Sequence, residues 1–369
     1  MRLDRGLWGN LDWFLLALVL AICLLGLVNI YSTGFSLLHD KTSALFVRQS
    51  QWLLMGLCGM VIAFFLGYRF IASWAYVIYA LSVILLVIVL FYGHTTHGSQ
   101  RWINIAGFSF QPSEMVKLTM ILALARYFND HPSPRSYTLK ELLPPLAICV
   151  LPLVLILRQP DLGTALMLLI LFVSFIPVVG IRWRDLVTVT AVTAVLVPMG
   201  WFFLKDYQKE RILTFINPYR DPLGSGYHII QSMIAVGSGG VLGKGFLKGT
   251  QTQLKFLPEQ QTDFIFSVFA EEWGFLGGVI LLAMFTLLVV WGLRIALHSR
   301  DYLGTLVAYG ITALIFWGAF INMGMVLGLL PVVGVPLPFF SYGGSAMVML
   351  MTAVGILLNI STRRFILQS

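Results

Sequence analysis

Charged side chains are scarce in this sequence: Asp, Glu, Lys and Arg make up 11% of its 369 residues, while 58% are hydrophobic. A water-soluble domain carries about 25% charged residues, so a free-standing soluble protein is excluded and the missing polar surface must face lipid. Acidic residues are the rarer sign, 16 against 24 basic, for a formal net charge of +8. Much of the positive charge sits between apolar runs, where orientation and anionic lipid account for it; no nucleic-acid partner is expected. Cysteine is rarer still. Cys23, Cys58 and Cys149 all lie inside apolar stretches, which excludes a disulfide framework or a zinc site and leaves them as small core or lipid-facing side chains. Also lacking are a polar linker between domains, a clear internal repeat, and a small-residue cleavage context after the first apolar run. Residues 1–369 therefore read as a single membrane domain without a cleavable signal.

What the sequence does have is long apolar runs, such as Phe14 to Val28, Leu81 to Leu90 and Ala165 to Val179, within segments near the roughly 20 residues that cross hydrocarbon as a helix. An isolated strand cannot satisfy its backbone there, so the expected class is all-α. Ten spans are expected, at about 11–32, 45–66, 71–92, 112–128, 142–158, 161–180, 185–204, 263–290, 303–328 and 340–360. The fourth is the least typical, carrying Glu114, Lys117 and Arg126. An internal N-terminus places Arg2, Arg5, Arg69, Arg135, Lys140, Arg182, Arg184, Arg294, Arg300, Arg363 and Arg364 on the cytoplasmic side, against Lys41, Arg101 and Arg158 outside. That bias predicts both termini inside. Gly274 with Gly278, and Gly324 with Gly328, have the spacing that permits close helix contact.

Between the seventh and eighth spans, residues 205–262 form an external segment of 58 residues with seven basic and four acidic side chains, far longer than ordinary helix connections. Its Gly-rich, moderately apolar stretch from Tyr227 to Leu247 favours packing on the membrane surface. A second external segment, His94 to Gln111, mixes Arg101 and Trp102 with turn residues.

Charge retained at membrane depth marks where chemistry resides, because burying it costs several kcal/mol without a partner or water. Three such places lie near the external ends of spans: Gln111-Pro112-Ser113-Glu114 with Lys117, Arg158-Gln159-Pro160-Asp161, and Leu257-Pro258-Glu259-Gln260-Gln261-Thr262-Asp263. Glu114 and Lys117 share a helix face, as a structural ion pair or as the polar wall of a substrate cavity. Asp161 is placed to cap the next helix or to act in chemistry. Asp263 stands where the long loop enters an apolar helix; it either caps that helix or, partly dehydrated, takes a proton from an attacking sugar hydroxyl. Glu271 and Glu272 are expected about two turns deeper. Arg101, Arg158, Arg211, Arg220, Lys244, Lys248 and Lys255 suit anionic headgroups or pyrophosphate. Gly243-Lys244-Gly245 lacks the spacing and Ser/Thr of a phosphate loop, Gly237-Ser238-Gly239-Gly240 lacks the third glycine of a dinucleotide fingerprint, and His94 with His97 is a weak metal signal.

At these residues the chain resembles the SEDS family, which takes part in shape, elongation, division and sporulation. The resemblance covers the whole ten-span pattern. It rests on Arg101-Trp102, Phe110-Gln111-Pro112-Ser113-Glu114, Gln159-Pro160-Asp161-Leu162-Gly163-Thr164, the run from Leu257 to Phe266, Ala270-Glu271-Glu272-Trp273-Gly274, and the run from Leu330 to Ser345. The string from Asp221 to His228 favours the elongation branch. The resemblance implies a SEDS fold in the bacterial inner membrane and a peptidoglycan glycosyltransferase that polymerises lipid II and releases undecaprenyl pyrophosphate during cell-wall elongation. It implies a class B penicillin-binding transpeptidase as partner, with MreC and MreD in the elongation complex. Asp263 is then the essential external aspartate, assisting deprotonation of the acceptor GlcNAc hydroxyl. Arg101, Lys117 and Arg211 are electrostatic helpers, and Glu114, Asp161 and Glu259 shape the polar site. No cofactor is established by spacing; a divalent cation such as Mg2+ or Mn2+ would neutralise pyrophosphate. A lipid II flippase and a noncatalytic scaffold are the competing readings.

Overall fold

The structure is a computed structural model that describes residues 11–34, 44–96, 99–105, 108–133, 136–203, 206–222, 224, 226–254, 256–257 and 259–363. Arg2, Arg5, Lys41, His97, Arg135, Lys255, Pro258 and Arg364, together with two residues of the Asp221–His228 string, lie outside the described residues. In chain order the elements are α1 (Trp13–Gly34), α2 (Ala44–Leu66), α3 (Tyr68–Ser73), α4 (Ala75–Tyr92), β1 (His94–Thr96), β2 (Ser99–Ile105) and β3 (Phe108–Phe110). They continue with α5 (Pro112–Asp130), α6 (Leu143–Arg158), α7 (Leu162–Val179), α8 (Trp183–Gly200), α9 (Asp206–Ile216), α10 (Tyr227–Ser238), α11 (Thr250–Gln253), α12 (Ile265–Leu297), α13 (Tyr302–Val326) and α14 (Gly344–Arg363). Among the described residues seven helices, α1, α2, α4, α7, α12, α13 and α14, are long and apolar enough to cross a membrane, and α6 is a shorter apolar helix.

Lipid-facing and protein-facing helices separate by burial. In α13 and α14, 72% and 78% of the most apolar window is buried, against 22% in α4, so α13 and α14 form the centre and α4 the rim. Packing of α14 on α2 is close because glycines on α14 leave room for α2: a Cβ on Gly355 would stand 2.2 Å from the Met60 carbonyl oxygen, and one on Gly344 2.1 Å from the Trp52 ring. Such approaches let helices gain van der Waals contact where lipid offers no hydrophobic drive. The atypical fourth segment, α5, is central as well. Most of its length from Pro112 to Ala125 is buried, so its neighbours are helices and its weak hydropathy does not signal exposure to water.

Two features depart from the expected all-helical outline. The segment after α4 forms a three-stranded antiparallel sheet, β1-β2-β3, with Trp102 paired to His94 and Ile103 to Phe110. β1 and β3, of three residues each, are too short for period-2 patterning to stand out among turn residues. The long segment 205–262 is not an open loop, since it contains α9, α10 and α11.

The eighth expected span is a broken helix. At about 1.5 Å per residue, the 33 residues of α12 would reach about 50 Å, longer than the roughly 30 Å hydrocarbon core. Gly274, at φ 67° and ψ −166°, interrupts it. This backbone geometry is open to glycine and strained for other residues. Asn29 donates to the Ile265 carbonyl at 3.0 Å, Ser32 to Glu272, and beyond the break Trp291 donates to Asp12 at 2.9 Å. The first segment therefore advances in the same sense as α1, and the second returns along it. Glu271 and Glu272 consequently stand beside the α1 end at Ser32, not two turns deeper than Asp263 as helical spacing predicts. Gly274 is a break, so the Gly274–Gly278 pair is not a packing motif.

Candidate functional site

Residues 261–263 are clamped from two sides before α12 begins. The Asn322 side-chain amide on α13 donates to the Asp263 carbonyl at 2.9 Å and to the Val335 carbonyl at 2.8 Å. Ser341 Oγ donates to the Thr262 carbonyl at 2.7 Å, and the Tyr342 amide to that of Gln261 at 2.9 Å. The stretch from Leu330 to Ser345 thus serves as the wall that fixes the aspartate. At Gly334, where φ is +75°, an added Cβ would stand 3.3 Å from Asp263 Oδ2, so a larger residue there is opposed by both backbone and space.

Asp263 is half-buried, and burial raises its carboxyl pKa from 3.8 to about 6. The charges of Glu259 and Asp161 add to the rise, while Arg211 and Arg101 oppose it. Desolvation penalises the ionised form, and neighbouring like charge does the same. Glu259 itself is exposed and sits at φ 50°, a left-handed conformation that is uncommon for a residue with a side chain.

The turn before α7 brings in Asp161. Its carboxylate accepts from the Thr164 amide at 3.1 Å and from Thr164 Oγ1 at 2.9 Å, an N-cap that satisfies an otherwise unpaired helix donor. Arg101, on β2, lies 3.7 Å from Asp161 and donates to the Pro160 carbonyl at 2.6 Å and that of Gln159 at 3.4 Å. The small sheet therefore positions a guanidinium over the 159–161 turn. Asp161 is both cap and site neighbour, because its two oxygens permit both.

Glu114 and Lys117 belong to a separate wall. They form a 2.7 Å ion pair, 6% and 7% exposed, on the side of a partly open pocket whose apolar lining includes Met167, Leu314, Leu337 and Met347. Asp263 does not line this cavity. The two places communicate through Val335 and Ser341, which line it and also hold Asn322 and Thr262. Among the predicted residues, then, the fold gathers Asp263, Glu259, Asp161, Arg101 and Arg211, and sets Glu114 with Lys117 apart.

Sequence reasoning assigned no role to Asn322, Gly334 or His228. Asn322 had a readable signal, a carboxamide deep in an apolar run; Gly334 and His228 lay inside strings read only as resemblance. His228 stacks on Phe264 with ring centroids 6.0 Å apart and planes 12° apart. Burial holds its imidazole below the ordinary value, with Glu259 opposing. Among the described residues, no group of three or more His, Cys, Asp or Glu side chains is placed to hold a metal ion.

Residues 12–365 match the model of the cell cycle protein family of FtsW, RodA and SpoVE. The chain belongs to this family. Among its relatives is the peptidoglycan glycosyltransferase MrdB of Escherichia coli K12, 42% identical over 97% of this chain and 95% of the relative. Stage V sporulation protein E of Bacillus subtilis is 37% identical over 95% and 96%. A chain solved for the structural coordination of polymerization and crosslinking by a peptidoglycan synthase complex superposes with a TM-score of 0.83 at 34% identity, covering 96% of this chain and 99% of that one. The rod shape determining protein RodA of Thermus thermophilus superposes with a TM-score of 0.71 at 31% identity, covering 97% and 99%. Family membership and the apolar helices make this a multi-pass membrane protein.

Proposed function

We propose that this chain is a peptidoglycan glycosyltransferase of the elongation type that joins lipid II units into glycan strands, with Asp263 as the general base. One observation carries the assignment: an aspartate clamped through its backbone, half-buried, with its carboxyl raised to about 6. A general base works best with a pKa near the operating pH, and a raised carboxyl among opposing charges marks a working site. The carboxylate accepts the proton of the acceptor GlcNAc hydroxyl as that oxygen attacks the anomeric carbon of the donor. The bond to undecaprenyl pyrophosphate breaks, and its electron pair leaves with the pyrophosphate. Arg101 and Arg211 supply positive charge for the leaving group, and Glu259 and Asp161 keep Asp263 basic enough to take the proton.

The apolar cavity beside Glu114 and Lys117 suits a lipid portion of the substrate, with the buried ion pair as its polar end. A divalent cation such as Mg2+ or Mn2+, if bound, would neutralise pyrophosphate. Asp161, on the turn beside Asp263, is the oxygen donor that suits it, in keeping with Mg2+ sites that combine one or two carboxylates with substrate phosphates. The same reading gives ten spans within one domain, both termini in the cytoplasm and the 205–262 segment outside the inner membrane. It also gives a class B penicillin-binding transpeptidase as partner, with MreC and MreD in the wider complex. The charge bias of the loops supports the orientation, and the peptidoglycan synthase complex in which a similar chain was solved supports the transpeptidase partner.

The test is glycan-chain formation from lipid II by the purified chain with its cognate transpeptidase, native against Asp263→Asn, after complex formation is verified. Loss of polymer with an intact complex is expected. Near-native polymer from the variant would remove Asp263 from the chemistry, and no polymer from either chain in a verified assay would favour transport or scaffolding.

A further inference from the structure

Asp263 is held through its backbone, and a residue at the head of those contacts has no part in the chemistry proposed above. Gln49, on α2, is 0% exposed. A buried carboxamide is costly unless its groups are paired, and Gln49 uses both on one short turn. Its Nε2 donates to the Ser341 carbonyl at 3.3 Å, and its Oε1 accepts from the Gly343 amide at 3.2 Å.

The Ser341 carbonyl and the Tyr342 amide belong to one peptide group. That amide donates to the Gln261 carbonyl at 2.9 Å, so Gln49 holds one side of a planar unit whose other side holds the chain two residues before Asp263. Bonds in such a series polarise and strengthen one another away from water. From the same residue, Ser341 Oγ donates to the Thr262 carbonyl at 2.7 Å and accepts from the Leu337 amide at 2.8 Å.

The turn has need of a directional grip. Phe339 sits at φ 62°, a left-handed conformation that is strained for a residue with a side chain and persists only where the surroundings over-determine it. The Phe340 ring meets that of Phe269 edge-on with centroids 5.4 Å apart, and a Cβ on Gly26 would stand 2.7 Å from Phe340 Cα. Such apolar contact is non-directional and leaves the rotation of a peptide plane open, whereas the two hydrogen bonds of Gln49 define it.

We propose that Gln49 is a positioning residue for glycan polymerisation, setting the orientation of Asp263 through the 341–342 peptide group and Ser341; this rests on the reading of Asp263 as the general base. Gln49 touches no substrate and exchanges no proton. It governs where the Asp263 carboxylate points, and a misplacement of about 1 Å at a reacting group costs on the order of 10²-fold in rate.

The test compares the native chain with Gln49→Met, Gln49→Asn and Thr352→Val, each with the cognate transpeptidase, in polymer formation from lipid II. Methionine keeps the length of glutamine and removes both bonds; asparagine keeps an amide that is one methylene too short to reach both backbone groups. Thr352, on α14, lies against Gly59 of α2, about 15 Å along that helix from Gln49, and controls for loosened helix packing. Gln49→Met should lower kcat at least about tenfold with KM held within about twofold, since what is lost is orientation of the base and not substrate binding. Gln49→Asn should fall between it and native, and Thr352→Val should leave both constants unchanged. A second readout is the Asp263 carboxyl band, taken in each background as the infrared difference produced by Asp263→Asn in buffer acidic enough to protonate it. Gln49→Met should shift or broaden this band, and Thr352→Val should not. The proposal is overturned if the band is unchanged in Gln49→Met, if kcat of that variant stays within about twofold of native, or if Thr352→Val loses as much. Should Gln49→Met fail to fold, Gln49→Asn decides by the same criteria. Near-native polymer from Asp263→Asn would sink the general-base reading, and the band alone then decides whether Gln49 positions Asp263.

Discussion

Glu114 and Asp263 are carboxylates in the same apolar bundle, and the fold treats them in opposite ways. Glu114 is closed off and neutralised, with Lys117 at 2.7 Å from the next turn of the same helix. Asp263 is left half-open, with its strongest charged neighbours, Glu259 and Asp161, of its own sign. A buried pair that satisfies itself shapes a cavity wall and resists change. A carboxylate crowded by like charge is unstable when ionised and ready to accept a proton. The contrast separates structural from reactive charge where composition cannot, since both residues are acidic side chains beside apolar helices.

The contrast breaks most sharply in activity. Asp263→Asn should lower polymer formation by about 10²–10⁴-fold, the range of a lost general base, measured as glycan length and yield from lipid II. The next effect lies in stability. Lys117→Met strands a buried carboxylate and should cost about 3–5 kcal/mol in unfolding measurements, whereas Glu114→Gln with Lys117→Met together should recover most of that loss. Equal damage from the single and double variants would show that the charges matter beyond each other.

The third outcome is a pH signature. Because the folded value of about 6 lies above the ordinary aspartate value of 3.8, the folded chain retains between these values a proton that the unfolded chain has released. Stability from this group is therefore fully present below about 3.8 and falls as pH rises to about 6. Activity runs the other way, since the base must be ionised, and should drop as pH falls through about 6. Glu259→Gln removes a like charge and should move the activity midpoint downward, checked by the pH profile of kcat/KM. The smallest effect belongs to Asp161→Ala, which loses the α7 cap and should cost about 1 kcal/mol. Asp161→Asn should retain much of the cap while removing the charge, so the pair of variants separates capping from electrostatics at Asp263.

Much of this contrast is legible in the sequence. The scarcity of charge put weight on each charged residue within an apolar segment, and the three polar clusters named in the sequence contain Asp263, Asp161, Glu114 and Lys117. The helices overlap the expected spans because apolar runs of that length have few other solutions in lipid. What could not be read was which clusters meet. Hydropathy carries no information on helix adjacency, so the separation of Glu114 from Asp263 and the reach of Arg101 to the 159–161 turn emerged only in three dimensions. The break in α12 was hidden for a related reason: Gly274 is one glycine among 34, and an apolar run reads identically whether its helix continues or reverses. Asn322 was overlooked because a single amide between apolar neighbours looks like packing until its two carbonyl partners are seen.

The break at Gly274 has a mechanical meaning. The helical carbonyls of Glu271 and Glu272 accept from the amides of Lys244 and Gly245, while the amides of Phe275 and Leu276 donate to the carbonyls of Gly240 and Val241. Four main-chain bonds thus splice the 240–245 segment into the gap, two on each side. The spliced segment and the short helix from Ile265 to Trp273, which follows directly on Asp263, are therefore joined through main chain alone. A joint of this kind carries no side chain whose replacement would delete it.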